Sequence, residues 1–210
     1  MKKIYIIGAG GFGRELLQWI KDINEKTPTW EIAGFLDDHL DALDGVDCDY
    51  KVVGTIKDYQ PKENEEVALA VAAPETKRKI VELMKSKGAK FAVVIHPTAI
   101  ITKFSKYGEG FVMFPNSKLS VNSEVGDFVT LLSTQIGHDT YVGDYSTISG
   151  NCNIVRNVHI GKDVFLAAGV SIAQDIKVGD GAYLGLASVV IKDVAAGTKV
   201  FGNPARVIPQ

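Results

Sequence analysis

Within IGHDTYVGD, residues 136–144, His138 stands directly before Asp139. An imidazole beside a carboxylate has the parts of a general base: the ring accepts a proton, and the carboxylate holds the ring tautomer and stabilises the imidazolium. A second constellation opens the chain. Residues 4–7, IYII, run into GAGGFG, where Gly8, Gly10 and Gly13 set a G-x-G-x-x-G spacing with Gly11 inside it. Such glycines permit a tight turn and let a phosphate approach the free N–H groups at a helix start, where the dipole favours an anion. A bare strand-to-helix turn needs the same glycines. Asp37 and Asp38 end the next apolar run, where an acidic residue either meets a ribose hydroxyl or simply faces solvent.

The elements that must hold these residues follow from periodicity. Leu16, Leu17, Ile20 and Ile23 fall at helical spacing after the glycine loop. Residues 31–36, 67–73 and 90–95 read as strands, and 75–87 as a helix ended by Gly88. This βαβ pattern predicts a small parallel sheet in a Rossmann-like α/β domain over residues 1–94. Six strands of a full dinucleotide fold do not fit there. A mononucleotide or nucleotide-sugar fits better than NAD, although the glycine fingerprint alone does not separate them.

Beyond residue 94 the chain repeats every six residues. Ile136, Val142, Ile148, Ile154, Ile160, Leu166, Ile172, Val178, Leu184 and Val190 are all aliphatic, and a small or aliphatic companion follows each by four. An earlier register runs Ile95, Ile101, Tyr107, Met113, Leu119, Val125, Leu131. Each companion precedes the next aliphatic by two, so the pair shares one strand face and both point inward. Glycines at 108, 126, 143, 161 and 179 mark a corner of an approximately 18-residue coil of three strands. Residues 95–194 thus form a stacked parallel β-helix, followed by a C-terminal cap over 195–210.

The coil puts residues 138, 156 and 174 (His138, Arg156, Gln174) in one corner column, and 150, 168 and 186 (Gly150, Ala168, Leu186) in another. If a neighbouring subunit faced one column with the other, the long narrow groove between them would suit an extended thioester arm. One residue is missing from the register between Leu131 and Ile136, which predicts a tightened corner that aims the His138–Asp139 pair outward. Cys152 falls in an inward small-residue slot. His159 is expected outward on a strand, His96 on the surface or capping beside Pro97, and His39 solvated in an acidic loop.

Composition narrows the setting. With 23 basic and 25 acidic residues and no long like-charge run, neither nucleic acid nor a membrane surface is the expected partner. Cys48 and Cys152 show no metal or disulfide spacing, which points to a reducing, cytoplasmic setting and no metal. The first apolar run is too short for a signal segment or a membrane span.

The whole chain resembles the bacterial nucleotide-sugar acetyltransferases of the sialic acid O-acetyltransferase group, including those that N-acetylate UDP-linked 4-amino sugars. The matching stretches are GAGGFGRE, FLDD, AVAAPETKR, VIHPTAII, IGHDTYVGDYSTIS and VFGNPARVI. The resemblance implies a left-handed β-helix, a homotrimer with active sites between subunits, acetyl-CoA as donor, and a role in surface-glycan biosynthesis. It implies direct transfer with His138 and Asp139 as the catalytic pair. Gly8, Gly10, Gly11, Gly13, Asp37, Asp38 and Ala73 would hold the nucleotide-sugar. Arg156, Ala168, Gly185, Ala187, Gly202, Pro204 and Arg206 would hold CoA. Two positions depart from the family: Phe12 and Thr147 stand where many members have histidine, so the acceptor, amine or hydroxyl, stays open.

Other functions fit parts of the same sequence. A nicotinamide-linked oxidoreductase accounts for the glycine loop but not for the β-helix. A β-helical zinc hydratase needs three histidines around one metal, and only His138 and His159 lie within the repeat. A non-catalytic nucleotide-binding protein on a trimeric scaffold leaves His138 without a role.

Overall fold

Aliphatic runs and glycine turns build the first part of the chain as expected from their spacing. A computed structural model describes residues 1–208, which fall into two compact units that divide between Pro97 and Thr98. The last two residues of the expected C-terminal cap lie outside the described residues.

The first unit runs β1 (Lys2–Ile7), α1 (Gly11–Lys26), β2 (Trp30–Leu36), β3 (Val52–Gly54), β4 (Glu65–Leu69), α2 (Pro74–Ser86) and β5 (Val94–Ile95). Strands β1 to β4 form a parallel sheet in the order β3-β2-β1-β4. Ile4, Ile6, Ile7, Phe35, Leu36, Val67 and Ala68 are buried, and α1 buries its Leu16–Leu17–Ile20 stripe. Helix α2 begins with Pro74 in its first turn, where the missing N–H costs nothing, and ends before Gly88, whose φ of 81° suits glycine.

Several expectations shift here. The strand expected at 67–73 runs Glu65–Leu69, because the chain must turn into the proline-started helix. The one expected at 90–95 is reduced to a bridge between Val67 and Phe91 and to β5. Strand β3 was not anticipated, since three residues carry too little alternation to register as a strand. His96, expected on the surface or as a cap, is buried: its Nε2 lies 3.2 Å from Asp22 Oδ2 and its ring meets Trp19 edge-on at 5.2 Å. Burying an imidazole is tolerable where a carboxylate pairs with it.

The second unit is a left-handed parallel β-helix of two-residue strands, closed by the three-residue strand Lys199–Phe201 and its antiparallel partner Arg206–Val207. Equivalent aliphatics stack in register: Leu119, Ile136, Ile154, Ile172 and Val190 in one column, Met113, Leu131, Ile148, Leu166 and Leu184 in another, Val125, Val142, Ile160 and Val178 in the third. All of these are 2% exposed or less, so the coil interior is a dry aliphatic stack. The small companions are buried too, and their hydroxyls are satisfied by corner carbonyls of the following coil: Ser123 Oγ donates to Gly137 O at 2.7 Å, Thr134 Oγ1 to Cys152 O at 2.7 Å. The glycine corners are sites of close approach. A Cβ at Gly126 would stand 2.1 Å from Asp144 Oδ1, whose carboxylate accepts the Asp127 N–H at 3.0 Å.

Rungs pair at an offset of 18 residues except across Glu124↔Tyr141, Thr130↔Thr147 and Lys118↔Gln135, where it is 17, and across Tyr183↔Lys199 at the end of the stack, where it is 16. The missing residue therefore sits at corner 132–134, which has three residues where the neighbouring corners have four. That corner precedes the His138 corner and is not the same one. Tyr107, expected inward, is 45% exposed near the start of the stack and lies over Phe111 at 5.4 Å.

Candidate active site

The His138 corner is a regular one. Asp139 has φ 57°, matching Asn122 at 56°, Asn157 at 55° and Asp175 at 63° in the same column. Asn and Asp tolerate this left-handed region better than other residues with side chains. Backbone bonds tie the corner to both neighbours: Asp139 N–H donates to Val121 O at 3.0 Å, and His138 O accepts from Asn157 N–H at 2.9 Å. The rigidity that holds His138 comes from this ladder rather than from the shortened corner before it.

His138 Nδ1 lies 2.6 Å from Asp139 Oδ2, with both side chains about half exposed. An ionised carboxylate only accepts, so Nδ1 carries the ring proton and Nε2 is left as an acceptor. The His138 imidazole, then the Asn122 amide, hold the Asp139 carboxyl below the usual carboxylate range, and the Arg156 charge adds to this. Asn122 Nδ2 donates to Asp139 Oδ1 at 3.2 Å. Asn122 has no place among the sequence-derived candidates; its one signal is an offset of 17 from Asp139 in the corner column.

Arg156 shares the His138 column and lies 3.5 Å from Asp175. Ala168 and Ala187 lie on a different corner, where the Ala187 N–H donates to Ala168 O at 2.9 Å and Leu186 is 65% exposed. Gly185 is buried, and a Cβ there would meet the Phe201 ring at 2.1 Å, so packing alone accounts for that glycine. Arg206 sits in a hairpin with Lys199–Phe201 and lines a cleft of about 340 Å³ with Lys192 and Asp193. Gly202 and Pro204 are exposed in the same turn. One chain thus joins His138, Asp139 and Arg156 in one corner column, and keeps Ala168 and Ala187 on another.

In the first unit, the four glycines divide into two kinds. A Cβ at Gly13 would stand 1.9 Å from Gly8 O, and one at Gly8 would stand 2.9 Å from Ala70 O. Gly13 is demanded by the approach of α1 to the end of β1, and Gly8 by its φ of 98° and the neighbouring chain just after β4. Gly10 meets nothing within 4 Å and Gly11 only the Arg14 side chain at 3.9 Å. Their bareness leaves open space at the start of α1, whose N-cap Gly10 supplies no side-chain hydrogen bond. An anion there would meet the positive end of the helix dipole. Asp37 Oδ2 accepts the Ala9 N–H at 2.8 Å, and Asp38 Oδ1 accepts the Ile56 N–H at 2.9 Å, so both carboxylates shape the loops around this mouth. Ala73 is the N-cap of α2. Phe12 lines an open hollow along α1 with Gly11, Arg14, Glu15, Gln18 and Trp19.

Among the described residues no group of three or more His, Cys, Asp or Glu is placed to hold a metal ion, and no helix is long and apolar enough to cross a membrane. Cys152 is buried, with its Sγ 3.2 Å from Ala167 O, and burial pushes its thiol up to about 11. His159 is exposed and stacks on Tyr141 at 4.8 Å, and His39 is exposed beside Asp37.

Known proteins share this fold. Residues 3–84 match the family described as PglD N-terminal domain. The GDP-perosamine N-acetyltransferase of Escherichia coli O157:H7 is 28% identical over 96% of this chain and 94% of its own. The acetyltransferase domain of PglB from Neisseria gonorrhoeae, solved with acetyl coenzyme A, superposes with a TM-score of 0.89 at 28% identity, over 99% of each chain. PerB from Caulobacter crescentus shares the fold at a TM-score of 0.87 and 20% identity, covering 100% of this chain and 98% of that one. Over nearly its whole length the chain is thus similar to acetyltransferases that act on nucleotide-linked sugars.

Proposed function

We propose that this enzyme transfers an acetyl group from acetyl-CoA to the amino group of a nucleotide-linked sugar, with His138 as general base. The observation that carries this is the 2.6 Å contact between His138 Nδ1 and Asp139, which leaves Nε2 as a proton acceptor on an exposed, rigid corner. The N-acetyltransferase relative from Escherichia coli supports an amine as acceptor, and GDP-perosamine is the first sugar to try. The Neisseria relative bound to acetyl coenzyme A supports the donor.

In the step itself the sugar nitrogen attacks the thioester carbonyl carbon while Nε2 takes its proton. The tetrahedral intermediate then expels the CoA sulfur, which receives that proton from the imidazolium. The products are the N-acetyl sugar and free CoA thiol, with no acyl-enzyme. General base help of this kind is worth about a hundredfold to ten-thousandfold. A backbone N–H aimed at the developing oxyanion would add several kcal/mol.

The nucleotide would seat its phosphates at Gly10 and Gly11, with Asp37, Asp38 and Ala73 shaping the mouth. CoA would run along the corners holding Arg156, Ala168, Gly185 and Ala187 toward Gly202, Pro204 and Arg206. Because one chain keeps the His138 and Ala168 columns on different corners, a homotrimer that faces them across subunits completes the site. Work in the cytoplasm, on a precursor of surface glycan, is consistent with a nucleotide-activated acceptor and a CoA donor.

The test is CoA-thiol release from acetyl-CoA against a panel of GDP-, UDP-, dTDP- and CMP-linked sugars, amino and hydroxy. Turnover with an amino sugar is expected. Turnover confined to hydroxy sugars would reassign the acceptor, and binding of NAD(H) without CoA release would sink the acetyltransferase reading.

A further inference from the structure

The two oxygens of Asp139 have separate donors. Oδ2 takes the His138 Nδ1 proton, and Oδ1 takes the Asn122 amide from the coil before. The same rung recurs two coils later, where Asn157 Nδ2 donates to Asp175 Oδ1 at 2.8 Å, but there the carboxylate's charged neighbour is Arg156 and no imidazole is involved. The corner ladder is therefore general, and only one of its rungs touches the base.

We propose that Asn122 is a positioning residue for the acetyl transfer: its amide anchors one Asp139 oxygen, so that the other holds the proton on His138 Nδ1 and Nε2 stays open to the acceptor. A carboxylate with a single exposed partner turns about its own χ2. Anchored at Oδ1, Asp139 presents Oδ2 to the ring in one orientation. The titratable or charged groups facing it are His138 on its own corner and Arg156 on the following coil, while the preceding coil contributes the neutral Asn122. This role rests on His138 being the base, as proposed above. Supporting groups around a catalytic ligand of this kind commonly matter by tenfold or more.

The test uses the full chain with isotopically labelled histidines, whose ring tautomers are read by long-range proton–nitrogen NMR. His138 is assigned from the signal lost in His138→Ala. This readout needs no acceptor sugar. Asn122→Gly removes the amide and keeps the left-handed backbone within glycine's range. Wild type is expected to show His138 in the Nδ1–H form, and Asn122→Gly a mixture with a substantial Nε2–H population. With GDP-perosamine as acceptor, its kcat falls about tenfold while KM for acetyl-CoA stays within about twofold. Asn157→Gly, which breaks the equivalent rung away from the imidazole, keeps the wild-type tautomer. Should Asn122→Gly fail to fold, Asn122→Asp suits the same backbone region; it removes the donor, gives the same tautomer mixture and moves the acid limb of the rate profile to higher pH, because a second carboxylate favours imidazolium. A wild-type tautomer in a folded Asn122 variant overturns the proposal, as does an equal shift in Asn157→Gly. Full activity in His138→Ala overturns the base reading instead, whatever the Asn122 variants do.

Discussion

Asp139 Oδ2 lies 2.6 Å from His138 Nδ1, and that contact decides which ring nitrogen is available for chemistry. A carboxylate cannot donate, so the proton on Nδ1 is dictated by its partner and Nε2 is left basic. His138→Ala should keep the fold and the affinity for CoA while losing at least about a hundredfold in transfer rate. Thiol release and calorimetric titration with CoA measure the two separately.

Asp139→Asn should also fold, since asparagine adopts the same φ at 122 and 157. It loses the carboxylate that selects the tautomer, so kcat should fall about tenfold or more, with little change in substrate affinity. The pH dependence has a definite sign. Asp139 titrates below the ordinary carboxylate value when folded, because of His138 and then Asn122. Its stabilising contribution is thus present above the unfolded value and is lost as pH falls through the folded one. In the wild type, the carbon NMR titration of this carboxyl should have its midpoint below that of a peptide aspartate.

The glycine loop offers a sharper separation of structure from binding. Gly13→Ala places a Cβ 1.9 Å from Gly8 O and should cost about 1–3 kcal/mol or more, seen as a lower melting temperature. Gly10→Ala enters open space and should melt near wild type. If the loop holds phosphate, Gly10→Ala should still weaken binding of GDP in calorimetry. Unchanged GDP affinity would leave the loop as a structural turn.

Cys152 should be inert. Burial raises its thiol to about 11, so at pH 8 the folded protein should expose one rapidly reacting thiol, Cys48, rather than two. Cys152→Ala should keep its transfer activity, in line with direct attack and no acyl-enzyme. Loss of activity together with acetylation of Cys152 in the wild type would require a covalent mechanism.

Much of this protein is written in local pattern. The six-residue beat of Ile136 to Val190 specifies a β-helix because a strand's faces alternate by two, and a repeat that keeps one face apolar has only the coil interior in which to bury it. The glycine loop and the helix stripe of Leu16, Leu17 and Ile20 likewise specify a strand, a turn and a helix. His138 and Asp139 could be marked as a candidate pair from adjacency alone. What adjacency does not carry is contact between coils. The partnership of Asn122 with Asp139 joins residues 17 apart, and the burial of His96 against Asp22 joins residues 74 apart. The one-residue slip between Leu131 and Ile136 is legible in the beat itself; that the His138 corner after it stays regular, with Asp139 at φ 57° like its column neighbours, is not. Periodicity determined the scaffold; only the stacking of coils, which brings distant backbone and side-chain groups within hydrogen-bond reach, decided how the carboxylate beside His138 is held.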